Sequence, residues 1–211
     1  FQLSVVASHM MLIMCDIKNL LCTIFRWSLG LFSVYVQATS VMEVSLDEML
    51  QGSGLVFEGE VVAIKVREFG NHGIQTQVTF EVVDVIKGKL KGRKVTLGFM
   101  GGVYGDREIT VSEMQIPVMH ERGIYFVESP ERNLVHPLYG WSQGHLKLMR
   151  DADDFDRVTT AAGQPVPGLD STAMQLSGKL SKGAARGLKL GHSGELSTAL
   201  DKHEFKRQLR A

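Results

Sequence analysis

The sequence predicts a mainly β protein, a small antiparallel barrel or sandwich. About five to seven short runs rich in Val, Ile, Phe and Thr lie between residues 55 and 149. Glycine-rich turns separate them at intervals of about 8 to 12 residues, the spacing of antiparallel sheets. No long helical pattern alternates with these runs, which disfavours a parallel α/β sheet. At 211 residues and 44% apolar content the chain can bury a core that needs no covalent staples. A net charge of zero gives no sign of a general nucleic-acid or polybasic membrane binder.

Residues 1–38 read as an export signal, with residues 1–13 set apart because Met10, Met11 and Met14 are all candidate starts. Lys18 and Arg26 supply the positive region, Trp27 to Val36 the short apolar run, and Val36-Gln37-Ala38 a small-residue cleavage site. The run from Leu20 to Val36 is broken by Arg26 and is shorter than the roughly 20 residues a membrane span needs. The mature chain is expected to begin near Thr39, periplasmic or extracellular, with no stable membrane span. Cys15 and Cys22 both fall in the leader, so the mature chain would have no disulfide and no thiol nucleophile.

After the leader, Val44 to Gly52 reads as a short helix. Ser45 and Glu48 form a capping box, Val44 and Met49 take the staple positions, and Gly52 and Gly54 stop it. Leu55 to Arg67 is a β run in which Gly59 signals a bulge, and Gly70 to Gly73 is a turn. Thr76 to Gly88 alternates until Val82-Val83, where the phase changes and Val83 and Val85 fall on the other face, as at a bulge or in a strand buried on both faces at one end. Lys87 to Gly92 is a basic turn, Lys94 to Met100 a third strand, and Gly101 to Asp106 a glycine-rich loop. Arg107 to Val111, Gly123 to Val127, Leu134 to Tyr139 and His145 to Met149 read as further strands. The barrel domain is thus placed at residues 42–150. Residues 151–196, with an acidic turn and then Gly, Ser, Lys and Leu without a sustained period, read as a flexible, mostly disordered linker. A short helix is expected within 197–211, capped by Asp201 with Glu204 and stapled by Leu200 and Phe205.

Four motifs bear on chemistry. Gly140-Trp141-Ser142-Gln143-Gly144 matches G-x-S-x-G, but the residues after it alternate as a strand where a nucleophile elbow needs a helix. A serine hydrolase acting through Ser142 is therefore a minor alternative. Met100 to Gly105 lacks the Gly-Lys-Ser/Thr of a phosphate loop. His72, His120, His136 and His145 have no zinc spacing, so no metal and no cofactor is expected. Lys87, Lys89, Lys91, Arg93 and Lys94 have no interleaved aromatics, so they read as a solvated turn blunting a sheet edge and give no nucleic-acid partner.

The runs Leu55-Val-Phe-Glu-Gly-Glu-Val-Val-Ala-Ile, Thr79-Phe-Glu-Val-Val-Asp-Val-Ile-Lys-Gly88, Val95-Thr-Leu and Gly123-Ile-Tyr-Phe-Val127 together resemble the netrin-like modules. These include the tissue inhibitors of metalloproteinases and their bacterial secreted relatives. The Gly101-Gly102 loop and Trp141 to Gly144 are similar to the uncharacterised bacterial branch. The resemblance implies a closed five-stranded barrel of the oligonucleotide/oligosaccharide-binding type, and a binding function without catalysis. It implies a protein partner, with a secreted metalloprotease the first to test. The animal inhibitors chelate the protease zinc through an N-terminal cysteine. The mature chain expected here has none, so that mechanism is not carried over. Loops on a rigid barrel commonly carry binding residues. The expected contact surface is therefore Gly101, Gly102, Tyr104 and Gly105 with Trp141 and Gln143, Tyr and Trp being good interface anchors. An oligosaccharide or small-ligand binding barrel is the rival reading.

Overall fold

Ser45 opens the first helix, α1 (Leu46–Gly52), in a computed structural model that describes residues 41–69, 73–170 and 179–210. These belong to one compact unit, Thr39–Ala211. The expected leader, its cut after Ala38 and most of the Gly70 to Gly73 turn lie outside the described residues. The capping box forms as expected: Glu48 N–H donates to Ser45 Oγ at 3.0 Å and Ser45 N–H to Glu48 Oε2 at 3.5 Å. The helix ends differently from the glycine stop. Ser53 Oγ donates to Met49 O, and Lys87 Nζ donates to Leu50 O at 2.6 Å and Gln51 O at 2.9 Å. A cation at the free carbonyls favours a helix C-terminus. Gly52 is needed for space, because the Tyr139 ring lies where its Cβ would be.

Two long strands follow, β1 (Leu55–Phe69) and β2 (Gly73–Lys87), with β3 (Lys94–Met100) beside β2. Val78, Phe80 and Val82 are buried on one face. Gly59 pairs with Val82 and Glu58 with Asp84, so Val83 is the bulged residue and is 63% exposed. The extra residue restores the phase, and Val85 packs on the same core as Phe80 and Val82, not on the opposite face. Next come a small hairpin, β4 (Gly102–Tyr104) and β5 (Arg107–Ile109), and then β6 (Arg122–Val127). Beyond a 3₁₀ turn at Trp141–Gly144 lie β7 (His145–Arg150) and β8 (Asp156–Thr160). Two further two-residue strands, β9 (Gly168–Leu169) and β10 (Leu188–Lys189), pair with each other before α2 (Lys202–Arg210).

Among the described residues the main sheet has six antiparallel strands in the order β3-β2-β1-β6-β7-β8, open at β3 and β8. Its two faces bury separate cores. Val56, Ile124, Phe126, Leu146 and Val158 pack against both helices through Met49, Phe205 and Leu209. Leu55, Phe57, Phe80, Phe99, Tyr125 and Val127 fill the other face, where the Phe80 and Tyr125 rings are 4.6 Å apart. Burial of each such side chain contributes about 2–3 kcal/mol. β6 serves both cores, which is why Gly123 to Val127 is an unbroken buried run.

Four sequence expectations are corrected here. Leu134 to Tyr139 is not a strand: Pro137 has no amide donor, and the Leu138 N–H is held by His136 Nδ1 at 3.2 Å. Only Leu138 makes a bridge, to Val127. The glycine-rich loop at 101–106 is built as the β4–β5 hairpin. The linker expected over 151–196 contributes a strand and core residues where it is described, although residues 152–155 and 192–195 are exposed. β8 joins the sheet, and Val166, Ala185 and Leu188 enter the helix-side core. Backbone bonds tie this stretch to distant residues, Arg186 N–H to Val44 O and Leu200 N–H to Val166 O, both at 2.8 Å. Such order comes from long-range pairing, which leaves no local period. At the C-terminus Asp201 caps α2, accepting from His203 N–H at 2.8 Å. Glu204 does not close a capping box; it accepts from Gln208 and pairs with Arg207.

Candidate binding surface

The β4–β5 hairpin begins where Gly101 leaves β3. Gly101 N–H donates to Ile74 O at 2.8 Å, and its carbonyl accepts from Thr76 Oγ1 at 2.7 Å. Its φ is +107°, and a Cβ there would meet Ile109 O at 2.7 Å, so only glycine fits. Gly102 is half-buried beside Thr76. Gly105 and Asp106 form a two-residue turn, with φ +62° at Gly105 in open space. A glycine of positive φ at the first loop position suits the twist of a tight hairpin. Arg107 is ion-paired to Glu68 and braces the hairpin against β1. Val103 is 59% and Tyr104 43% exposed, at the tip of this anchored element.

The Trp141 turn has the opposite character. Gly140 and Trp141 both have positive φ, +67° and +61°. Trp141 is half-buried and stacks on His136, centroids 5.2 Å apart and planes 17° apart. His136 in turn meets Phe99 edge-on at 5.3 Å. Gln143 is buried and fully engaged. Its Oε1 accepts from Val44 N–H at 3.0 Å, and its Nε2 donates to Met42 O at 2.9 Å and Gly140 O at 3.0 Å. Gln143 therefore ties the chain before α1 to the turn and offers nothing to a partner. Gly101 is buried as well. Of the six expected contact residues, the tip at Tyr104 and Gly105 is open, and Trp141 is partly so. The two loops do converge: Met100 N–H donates to Val135 O at 3.0 Å, placing the segment leading to Trp141 beside the start of the hairpin.

Ser142 lies in the 3₁₀ turn that enters antiparallel β7, so the strand–turn–helix elbow is not built. His145 Nδ1 has no hydrogen-bond partner, and hence no bond to Ser142.

Two polar clusters escaped the sequence reading. In the first, His145 Nε2 donates to Glu121 Oε1 at 2.6 Å, Tyr125 O–H donates to the same oxygen at 3.2 Å, and Lys147 lies 3.5 Å from Oε2. Burial would raise the Glu121 pKa, but His145, Lys147 and Tyr125 outweigh it and hold the carboxyl below its ordinary value. Burial first, and then Glu121, push the Tyr125 hydroxyl up. Burial, with the nearby charge of His145 added, pushes His136 down to about 3. In the second cluster Lys206 Nζ donates to Glu58 Oε2 at 2.5 Å and Asp84 Oδ2 at 2.8 Å. Lys202 bridges Glu58 and Asp156, and Arg122 binds Asp156 bidentately at 2.8 and 2.6 Å. Burial would raise Asp156, yet Arg122 and Lys202 hold it at about 2. The available signal was the i, i+4 spacing of Lys202 and Lys206 on the same helix as Phe205 and Leu209. Among the described residues no three of His, Cys, Asp and Glu are grouped to hold a metal ion, and no helix is long and apolar enough to cross a membrane.

Fold and surface together define a mainly β protein with an exposed hairpin. Comparison with protein-family models, with curated proteins and with solved structures gives no match.

Proposed function

We propose that this chain is an exported, non-catalytic binding module of the netrin-like type that engages a protein partner through the β4–β5 hairpin. The observation that carries the reading is Val103 and Tyr104, exposed on a hairpin whose base is locked by Gly101, Thr76 and the Arg107–Glu68 pair. A rigid element presenting an aromatic anchor loses little entropy on binding. What supports a closed barrel of that type is the path of residues 135–139, which run from the edge strand β3 to the end of β6. Met100 N–H reaches Val135 O at 3.0 Å, and Tyr139 N–H reaches Phe126 O at 2.8 Å. Export rests on the leader-like pattern of residues 18–38. A secreted metalloprotease is the partner class proposed, on resemblance alone.

The test immobilises the protein and its Tyr104→Ala variant side by side and exposes both to the organism's exported proteins. Each metalloprotease held by the wild type alone is then assayed with the purified protein. A protease bound and inhibited by the wild type, and released by Tyr104→Ala, is the expected result. Equal capture by both proteins removes the hairpin, and no captured protease removes the partner class.

A further inference from the structure

The zero net charge conceals a separation of charge. The turn between β2 and β3 carries Lys89, Lys91, Arg93 and Lys94, all exposed. Lys89, Lys91 and Lys94 make no ion pair or hydrogen bond among the described residues, and Arg93 has only Glu81 at 3.8 Å. Leu90 packs into the core between Lys89 and Lys91, so the turn is pinned and both lysines stay outside. Gly92 has open space where a Cβ would project. α2 adds exposed Arg207 and Arg210 at the same end of the sheet, because Arg210 binds Asp84 at 2.9 Å and Lys94 stands opposite Glu81. Those two β2 positions are three residues apart, about 10 Å along a strand.

We propose that this end of the molecule docks on an anionic phospholipid surface. Six cations meet four acids there, Glu60, Glu81, Asp84 and Glu204. Asp84 is already shared between Lys206 and Arg210, and Glu204 is held by Arg207 and Gln208. The excess charge faces solvent, on the exposed Lys89, Lys91, Arg93 and Lys94 and on Arg207 and Arg210 at the rim of a shallow hollow beside Asp84. Neither the turn nor α2 exposes a Phe, Tyr or Trp ring on which nucleic-acid bases could stack. The attraction is electrostatic, about one Lys or Arg increment at a time, and it fades within a Debye length.

The experiment measures co-sedimentation of the full chain with phosphatidylcholine vesicles and with vesicles of phosphatidylcholine mixed with phosphatidylglycerol. The same is done for the variant Lys89→Gln/Lys91→Gln/Lys94→Gln. Any contribution from residues 1–38 is common to both proteins and cancels. Among the described residues the three lysine side chains have no partners, so thermal unfolding of the variant should match the wild type, and Lys65→Gln on β1 serves as a charge control. Expected are binding to the anionic vesicles only, partitioning weakened roughly a hundredfold by the triple substitution, and loss of binding as salt is raised. Equal partitioning of wild type and triple variant overturns the proposal, as does binding that ignores lipid charge. Tighter capture by DNA or an acidic polysaccharide at the same salt, without vesicle binding, overturns the lipid assignment.

Discussion

The two glycine-rich loops look alike in sequence and do different work. Gly101 to Asp106 and Gly140 to Gly144 each carry one aromatic residue between glycines, of which Gly101, Gly102, Gly105 and Gly140 have positive φ. In the first, the glycines shape a hairpin that leaves Val103 and Tyr104 exposed while Arg107 holds it to β1. In the second they fold the chain inward, so that Gln143 spans to Met42 and Val44 and Trp141 lies on His136. The difference teaches that glycine content shows where the backbone bends. The partners of the neighbouring polar groups decide whether the bend faces solvent or the core.

The sharpest way to break this contrast is pH. The buried His136 is held neutral, with its pKa lowered from 6.5 to about 3, whereas the unfolded chain protonates it near 6.5. The unfolded state therefore binds the extra proton first. Stability is full above pH 6.5 and falls as pH drops toward 3, by roughly 1 kcal/mol per unit. Urea unfolding at pH 7.5 and 4.5 reads it, and His136→Gln should flatten the slope. An unchanged slope in that variant would remove His136 as the cause. Next in size is Gln143→Ala, which leaves the Val44 amide and the Met42 carbonyl without a partner. We expect a loss of about 2–3 kcal/mol, read as a Tm lowered by roughly 5–10 °C. Tyr104→Ala is the matching substitution in the hairpin, and its effect on Tm should be within about 0.5 kcal/mol. A large Tyr104 effect would mean that the tip is packed in solution. The two hairpin glycines sharpen the picture further. Gly101→Ala, with both strain and a close carbonyl, should cost about 2 kcal/mol, while Gly105→Ala in open space should cost about 1 kcal/mol.

Much of the β architecture was legible because alternation and glycine punctuation are local signals. The capping box at Ser45, the bulge at Val82-Val83 and the third strand, Lys94–Met100, all follow from neighbours in sequence. Residues 151–196 were not legible. Val166, Ala185 and Leu188 each fill a place in a core assembled elsewhere, and isolated apolar residues carry no period. The exposed tip at Tyr104 and Gly105 was readable from glycine spacing, but the burial of Gln143 was not. Its partners lie 99 and 101 residues away. The acidic and basic members of the Glu58 cluster are separated in the same way.

That separation sets a timetable. Glu58 sits in the first strand to be synthesised, and the ammonium that neutralises it belongs to Lys206, 148 residues later. A buried carboxylate without its cation is strongly unfavourable. The sheet around Glu58 therefore cannot settle until α2 has been made. A nascent chain of this kind stays loose around β1 and locks only when Lys202 and Lys206 arrive.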